Sequence, residues 1–254
     1  GILTGEVPFL PIQKWFFEQE QPSPHHWNQS MLFTVRRSIT PSLLEKAIHR
    51  VVAHHDALRL RFMKEGEGWK QFYGPVNEPI PFAVEDLSSY SPEEQVKKIE
   101  SIADKAQASL DLTKGPLMRV IYFNLGSSQE DRLLIVIHHL IVDGVSWRIL
   151  LEDLERAYEQ EESTGKVQLP LKTTSYQQWA EECERYANSE GISNEKEYWL
   201  QFCEEVQAHD IQAIDKSLNT EENSRTLRVA LDEDDTAELL QTIPSKYRVQ
   251  INDV

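Results

Sequence analysis

The sequence is poor in cysteine, in long apolar runs and in basic residues. Two cysteines, Cys183 and Cys203, are too few for a disulfide framework in 254 residues, so we expect buried structural thiols in a reducing cytosol. The longest strongly apolar stretch, Leu133 to Ile137, is far shorter than the ~18 residues of a membrane span. A net charge of −16 argues against binding a phosphate backbone, because that affinity comes largely from Lys and Arg. We therefore expect a cytoplasmic globular protein with no nucleic-acid or membrane partner.

The N-terminus carries no targeting pattern. Gly1 to Gly5 include no initiator methionine, no basic n-region and no apolar h-region of a signal peptide. We expect the chain to be a piece of a longer polypeptide that is not exported.

Apolar periodicity divides the chain into hairpins and single helices. Alternating apolar residues predict strands at Trp27 to Val35, Leu58 to Phe62, Trp69 to Tyr73, Leu117 to Leu125, Arg132 to Ile137 and Arg225 to Leu231. Helical spacing predicts helices after Thr40-Pro41, after Ser91-Pro92, after Gly144, from Tyr176 to about Val206, and a short one capped by Asp232. The polar stretch Glu159 to Thr174 predicts a linker. This mixture predicts an α+β fold, with helices packed on a largely antiparallel or mixed sheet.

The segment HHLIVDG, residues 138–144, joins an apolar strand to a helix. Strand alternation sends His138 and His139 to opposite faces, so only one can serve a given cleft and the two cannot ligate one metal ion. Histidine suits proton transfer at neutral pH. Asp143 would either hold the turn by pairing with an arginine elsewhere or orient a histidine directly, and Gly144 would permit a tight turn. Ser146 is disfavoured as a nucleophile because no GxSxG elbow surrounds it.

Two motifs in this order resemble a known family. HHLIVDG matches the HHxxxDG motif of the condensation-domain superfamily of nonribosomal peptide synthetases. Residues 54–62, HHDALRLRF, resemble its second motif, roughly RHExLRTxF, with departures at His54, Asp56 and Leu60. The chain is thereby identified as resembling a member of this superfamily over nearly its whole length.

Three further segments resemble epimerization domains within that superfamily. They are PIQKWFFE at 11–18, HWNQS at 26–30 and DGVSWRIL at 143–150. Ordinary condensation domains more often carry an aromatic residue directly after the glycine of the motif. The resemblance is therefore to epimerization domains specifically.

The resemblance implies a two-lobed architecture. It predicts a chloramphenicol acetyltransferase-like lobe, a mixed sheet covered by helices, plus the start of a second similar lobe. We predict the first lobe at 1–174, a connecting helical segment at 175–222 and the start of a truncated C-terminal lobe at 223–254. In the family two such lobes form a V around a tunnel. The glutamate that works opposite the histidine would lie beyond Val254.

The resemblance also assigns residue roles. It implies that the catalytic residues are His139, as the acting histidine, and its neighbour His138. It also implies that Asp143 is a structural acid bridged to Arg59 and that Gly144 permits the turn. Residues that it places on the tunnel or substrate side are Trp15, His26, Asn28, Ser146 and Trp147. No metal is implied.

The implied function is inversion, from L to D, of the α-carbon of an aminoacyl or peptidyl thioester. No cofactor would bind directly, because the substrate arrives on the phosphopantetheine arm of an upstream peptidyl carrier domain of the same synthetase. The missing second lobe is the other implied partner, and without it we expect the fragment to be inactive. Two alternatives stay open: a condensation domain that joins two carrier-bound substrates, and a catalytically idle docking scaffold.

Overall fold

The computed structural model describes residues 2–66, 68–79, 82–205 and 223–253. The chain divides into two compact units, Gly1–Lys196 and Glu197–Val254. The predicted boundaries at 174 and 222 stay a prediction. Among the described residues, no helix combines the length and apolar character that crossing a membrane requires.

The strands of the first unit form two sheets. The described strands are β1 (Gly5–Val7), β2 (Asn28–Val35), β3 (Leu60–Glu65), β4 (Gly68–Tyr73), β5 (Phe82–Asp86), β6 (Met118–Asn124) and β7 (Asp131–His138). The larger sheet has the order β2-β7-β6-β5, in which only β5 and β6 run parallel among its described strands. The smaller sheet has the order β1-β4-β3 and is antiparallel. The two predicted hairpins, β3–β4 and β6–β7, are confirmed.

The described α-helices are α1 (Pro11–Glu18), α2 (Pro41–His54), α3 (Pro92–Ala108), α4 (Gly144–Ser163), α5 (Tyr176–Ala187), α6 (Glu190–Glu205), α7 (Glu233–Ala237) and α8 (Ile243–Tyr247). The predicted capping box begins α3: the Ser91 hydroxyl accepts from the Glu94 amide, and the Glu94 carboxylate accepts from the Ser91 amide. In the second unit, the Asp232 carboxylate accepts from the Asp235 amide and caps α7, as predicted.

The larger sheet is covered by helices on both faces. Ile135 and Ile137 of β7 belong to an apolar cluster with α2 and α4, while Leu134 and Val136 pack with residues of α3. Burial on both faces explains why β7 reads as a continuous apolar run rather than an alternating one. Fully burying each such side chain contributes about 1.5–3 kcal/mol. The predicted α+β architecture of a sheet covered by helices is confirmed.

Three expectations differ from the structure. Residues 224–231 lie in neither strand nor helix, so the strand predicted at Arg225 to Leu231 is wrong. Alternation gives a strand only beside a partner, and Leu227 and Val229 there are 88% and 83% exposed. The linker predicted from Glu159 begins later, because α4 continues to Ser163. Cys203 is exposed on α6, a helix that buries none of its described residues, so the expected burial is wrong for that thiol.

Candidate functional site

The site lies at the end of β7, where the chain turns into α4. The neighbouring strand β2 pairs antiparallel with β7, and Asn28 stands opposite His138. The pairing is extended by one bond, in which the His139 amide donates to the Trp27 carbonyl at 2.8 Å. The two histidines are therefore held by regular backbone structure rather than by a free loop.

His138 is fully buried and held on both ring nitrogens. Its Nδ1 accepts from the Leu140 amide at 3.1 Å, so this nitrogen carries no proton and Nε2 must carry it. Nε2 then donates to the Pro24 carbonyl at 2.8 Å, and the edge of the ring meets Phe16 at 6.0 Å between centroids. Burial lowers the pKa of His138 to about 4. His138 is therefore a neutral, structural side chain at physiological pH.

His139 is exposed and lies on the opposite side of the strand. Its Nδ1 is 2.8 Å from the Val142 carbonyl oxygen, which can only accept a hydrogen bond, so Nδ1 carries the proton. Its Nε2 lies 3.2 Å from the amide nitrogen of Gln29. With the proton on Nδ1, Nε2 is unprotonated and carries a lone pair. A ring with its lone pair on Nε2 has the form that a general base requires.

Asp143 caps α4 and does not contact Arg59, so the predicted bridge between them is wrong. The Asp143 carboxylate accepts from the Ser146 amide at 2.7 Å and the Ser146 hydroxyl at 2.6 Å. These bonds lower the pKa of Asp143. The signal for this cap was available in the sequence, since Asp followed three residues later by Ser opens a helical pattern.

Arg59 is buried and its guanidinium bonds elsewhere. It donates to Asp56 Oδ1 at 2.5 Å, to the Gly74 carbonyl at 2.8 Å and to the Leu3 carbonyl at 3.0 Å. The second Asp56 oxygen accepts from Lys172 Nζ at 2.6 Å. Asp56 lies three residues before Arg59 in a short 3-10 helix, so Arg59 forms its salt bridge with an acid of its own turn. Arg59 ties together the N-terminal segment and the smaller sheet.

Gly144 is the first residue of α4, and its conformation does not require glycine. Its φ lies outside the left-handed region, and an added Cβ would meet no described atom within 4 Å. This backbone therefore does not use the conformational freedom of glycine that was predicted to permit the turn. The cap at Asp143, rather than Gly144, defines where the helix begins.

A family model covers all of these residues. The condensation domain model matches residues 4–254. The chain belongs to the condensation-domain family. Similar relatives include a linear gramicidin synthase protein of Brevibacillus parabrevis, 54% identical over 254 residues, and surfactin synthase subunit 2 of Bacillus subtilis, 36% identical over 259 residues. Both matches cover 100% of this chain but only 5% and 7% of the respective relative.

Solved structures of this family separate into two degrees of likeness. The epimerization domain from the third module of tyrocidine synthetase B is 35% identical with a TM-score of 0.88, over 100% of this chain and 57% of that one. The starter condensation domain of rhizomide synthetase is 20% identical with a TM-score of 0.68, over 80% of this chain and 49% of that one, and shows the shared fold alone. The predicted condensation-superfamily lobe is confirmed.

The other sequence-predicted residues of this condensation-family chain are spread around the histidine pair. Trp15 on α1 is 54% exposed, and the neighbouring Phe16 is the residue that packs against His138. His26 is exposed on the loop before β2. The Asn28 amide donates to the Gln107 carbonyl at 2.7 Å, toward α3 and away from His139. Their placement along a tunnel stays a prediction.

Two site residues were not singled out from the sequence. Gln29 contacts His139, and the signal was its place in HWNQS, one residue from Asn28 on the opposite face of β2. Gln13 on α1 donates to the carbonyl of Leu140 at 3.2 Å and accepts from the Tyr176 hydroxyl at 2.5 Å. Gln13 is almost fully buried, so it fixes the histidine turn to α1 and α5.

A pocket of about 790 Å³ lies beside the buried face of the pair. Aromatic rings of Phe9, Phe17 and Trp69 form one wall, and the Phe17 and Trp69 rings stack at 4.5 Å. Phe16 and Pro24 line it and also contact His138. The pocket therefore approaches the structural histidine rather than His139.

One group of described residues has ligand types that suit a metal ion. His54, His55 and Asp153 place one ligand atom each within 4.8 Å of one another. However, His55 Nε2 already bonds the Asp153 carboxylate at 2.8 Å, and Arg156 lies 3.4 Å from its other oxygen. A guanidinium at this position repels a cation, so the geometry favours a tie between α2 and α4.

Proposed function

We propose that this chain forms the histidine-bearing part of an epimerization domain, which inverts the α-carbon of an aminoacyl or peptidyl thioester. The observation that carries the proposal is the division of roles in the histidine pair. His138 is buried and neutral, whereas the exposed residue His139, at the end of β7, carries a lone pair on Nε2 beside Gln29. The closer likeness to an epimerization domain than to a starter condensation domain supports the reaction type.

The chemistry needs one base on each face of the α-carbon. The thioester carbonyl acidifies the α-proton and delocalises the charge of the resulting planar enolate. His139 Nε2 removes or returns the proton on one face. The first turn of α4 is not free to stabilise the enolate oxygen through Ser146, because Asp143 already accepts from that amide. We propose that the second acid/base group and a donor to the enolate oxygen lie on the second lobe of the domain.

The substrate arrives on the phosphopantetheine arm of a carrier domain in the same cytoplasmic synthetase. Such a tethered thioester brings its own reactive carbonyl, so this chemistry needs no metal or directly bound cofactor. Carrier, second lobe and this chain together would form the working unit. The chain spans about 5% of the gramicidin synthase protein that it matches, which agrees with a role inside a long polypeptide.

The test uses this chain joined to the remainder of its domain and a carrier loaded with an aminoacyl thioester in deuterated water. Wild-type protein should incorporate deuterium at the α-carbon, measured by mass spectrometry after thioester cleavage. His139→Ala should reduce incorporation by about 100-fold or more, which is the usual contribution of a general base. His49→Ala removes a histidine of α2, outside the histidine turn, and serves as the control.

Two outcomes would contradict the proposal. Unchanged deuterium incorporation in His139→Ala would remove this histidine from the reaction. Formation of a peptide bond with a second loaded carrier, without α-deuterium, would identify a condensation domain instead.

A further inference from the structure

Three side chains form a hydrogen-bonded chain that ends on His139. The buried indole of Trp147 donates from Nε1 to Gln29 Oε1 at 2.7 Å. The Gln29 amide nitrogen then lies 3.2 Å from His139 Nε2. Gln29 comes from β2, and Trp147 comes from the first turns of α4. The contact thus joins two elements that flank the histidine.

Trp147, the buried member of this series of hydrogen bonds, determines which group donates and which accepts in each bond. An indole N–H can only donate, so the oxygen of the Gln29 amide must face Trp147 and the NH₂ group must face His139. A freely rotating glutamine could present either end to the ring. Trp147 removes that choice, because turning the amide would set its NH₂ group against the indole N–H.

The contact at Nδ1, on the other side of the His139 ring, independently indicates the same tautomer. The Val142 carbonyl can only accept, and it lies 2.8 Å from Nδ1. Together the two contacts require a proton on Nδ1 and a lone pair on Nε2. His138 and Asp143 are titratable neighbours of His139 in the chain, and their hydrogen bonds go to other groups than its ring nitrogens.

We propose that Gln29, oriented by Trp147, is a positioning residue that sets His139 in the neutral Nδ1–H tautomer and directs its Nε2 lone pair. Gln29 acts through its contact with the His139 ring rather than on the substrate. It determines that a donor, rather than an acceptor, faces Nε2. The consequence for catalysis rests on the proposed function, but the tautomer itself is a property of this chain alone.

The test reverses the polarity of the contact with little change of shape. In Gln29→Glu, a carboxylate replaces the amide and can only accept, so Nε2 should also take a proton. Histidine-labelled protein is measured by long-range ¹H–¹⁵N correlation at pH 8, and the His139 signals are assigned by their loss in His139→Gln. Wild type should show one protonated and one unprotonated nitrogen, with the proton on Nδ1. Gln29→Glu should show both nitrogens protonated at the same pH.

Ser30→Glu is the matched control. It adds the same charge at the next residue of β2, which is exposed and on the other face. Its His139 spectrum should equal that of wild type, and thermal melts should confirm that both variants are folded. An Nε2–H tautomer in wild type would overturn the inference, and so would an unchanged spectrum in folded Gln29→Glu.

The two proposals fail separately. If His139→Ala keeps full α-proton exchange while the tautomer result holds, the proposed function fails and the positioning role of Gln29 stands. If exchange requires His139 but the wild-type ring carries its proton on Nε2, the function stands and the role of Gln29 is wrong. In the complete domain, both proposals together predict that Gln29→Glu lowers exchange at neutral pH by at least about tenfold, because the base is occupied by a proton.

Discussion

Burial of His138 should make the stability of the fold fall as the pH falls from about 6.5 to about 4. In the unfolded chain a histidine takes up its proton near pH 6.5, whereas burial holds the pKa of folded His138 at about 4. Between these values the unfolded state binds more protons, so acid favours unfolding. Stability from this group is fully present above pH 6.5 and is lost as the pH approaches 4.

The magnitude follows from the size of the change in pKa. A fall from 6.5 to about 4 is worth about 3 kcal/mol at full effect. At pH 4.5, where most of the effect has developed, the expected loss is about 2.5 kcal/mol. Such a loss is a substantial part of the 5–15 kcal/mol that stabilises a typical domain.

Urea unfolding at pH 7 and pH 4.5, followed by tryptophan fluorescence, measures this contribution. His138→Gln removes the titrating ring but keeps an amide that can bond both Pro24 and Leu140. The variant should lose about 2.5 kcal/mol less than wild type between the two pH values. His49→Gln, which replaces a histidine of α2, should keep the wild-type dependence. Equal pH dependence in wild type and His138→Gln would refute the assignment of His138 as a buried neutral ring.

Two further predictions concern the Arg59 network and the isolated chain. A double-mutant cycle combines Arg59→Met with Asp143→Ala. Arg59→Met should lower the free energy of unfolding by about 3 kcal/mol, because it leaves the buried Asp56 with one partner fewer. Asp143→Ala should lower it by about 1 kcal/mol through loss of the helix cap. Urea unfolding should show these effects adding within about 0.5 kcal/mol, and a coupling above about 1 kcal/mol would restore the Asp143–Arg59 bridge. The 254-residue chain alone should not invert a carrier-bound thioester, because the proposed mechanism needs a second acid/base group opposite His139 and a positioned substrate, both of which we propose the second lobe supplies. Chiral analysis of the hydrolysed product would contradict this expectation if it showed a D/L mixture like that of the two-lobed domain.

Local patterns predicted most elements of the first unit. The capping box at Ser91 and the apolar face of α2 are contained within single segments, and both are found as predicted. Alternation along β7 also predicted that His138 and His139 point in opposite directions. It could not say which ring would be buried, because that depends on Phe16 and the loop at Pro24 closing over one face.

Contacts between residues far apart in the sequence could not be predicted from such local patterns. Trp147 and Gln29 are separated by 118 residues and meet only because β2 lies beside β7 and α4 starts where β7 ends. The predicted strand at Arg225 to Leu231 failed for a related reason. Its apolar alternation is real, but a strand also requires a neighbour, and a single segment does not reveal whether one is present.

Two acids, Asp56 and Asp143, are candidate partners for Arg59, and a resemblance between motifs does not predict which of them binds it. The resemblance assigns the arginine of the second motif to the acid of HHxxxDG. In this chain Asp56 replaces the glutamate of that motif, lies within the same 3-10 helix turn and is itself buried. The buried Arg59 pairs with an acid three residues away, and Asp143 accepts instead from an otherwise unpaired amide in the first turn of α4. The acid of the HHxxxDG motif therefore stabilises the helix start next to His139.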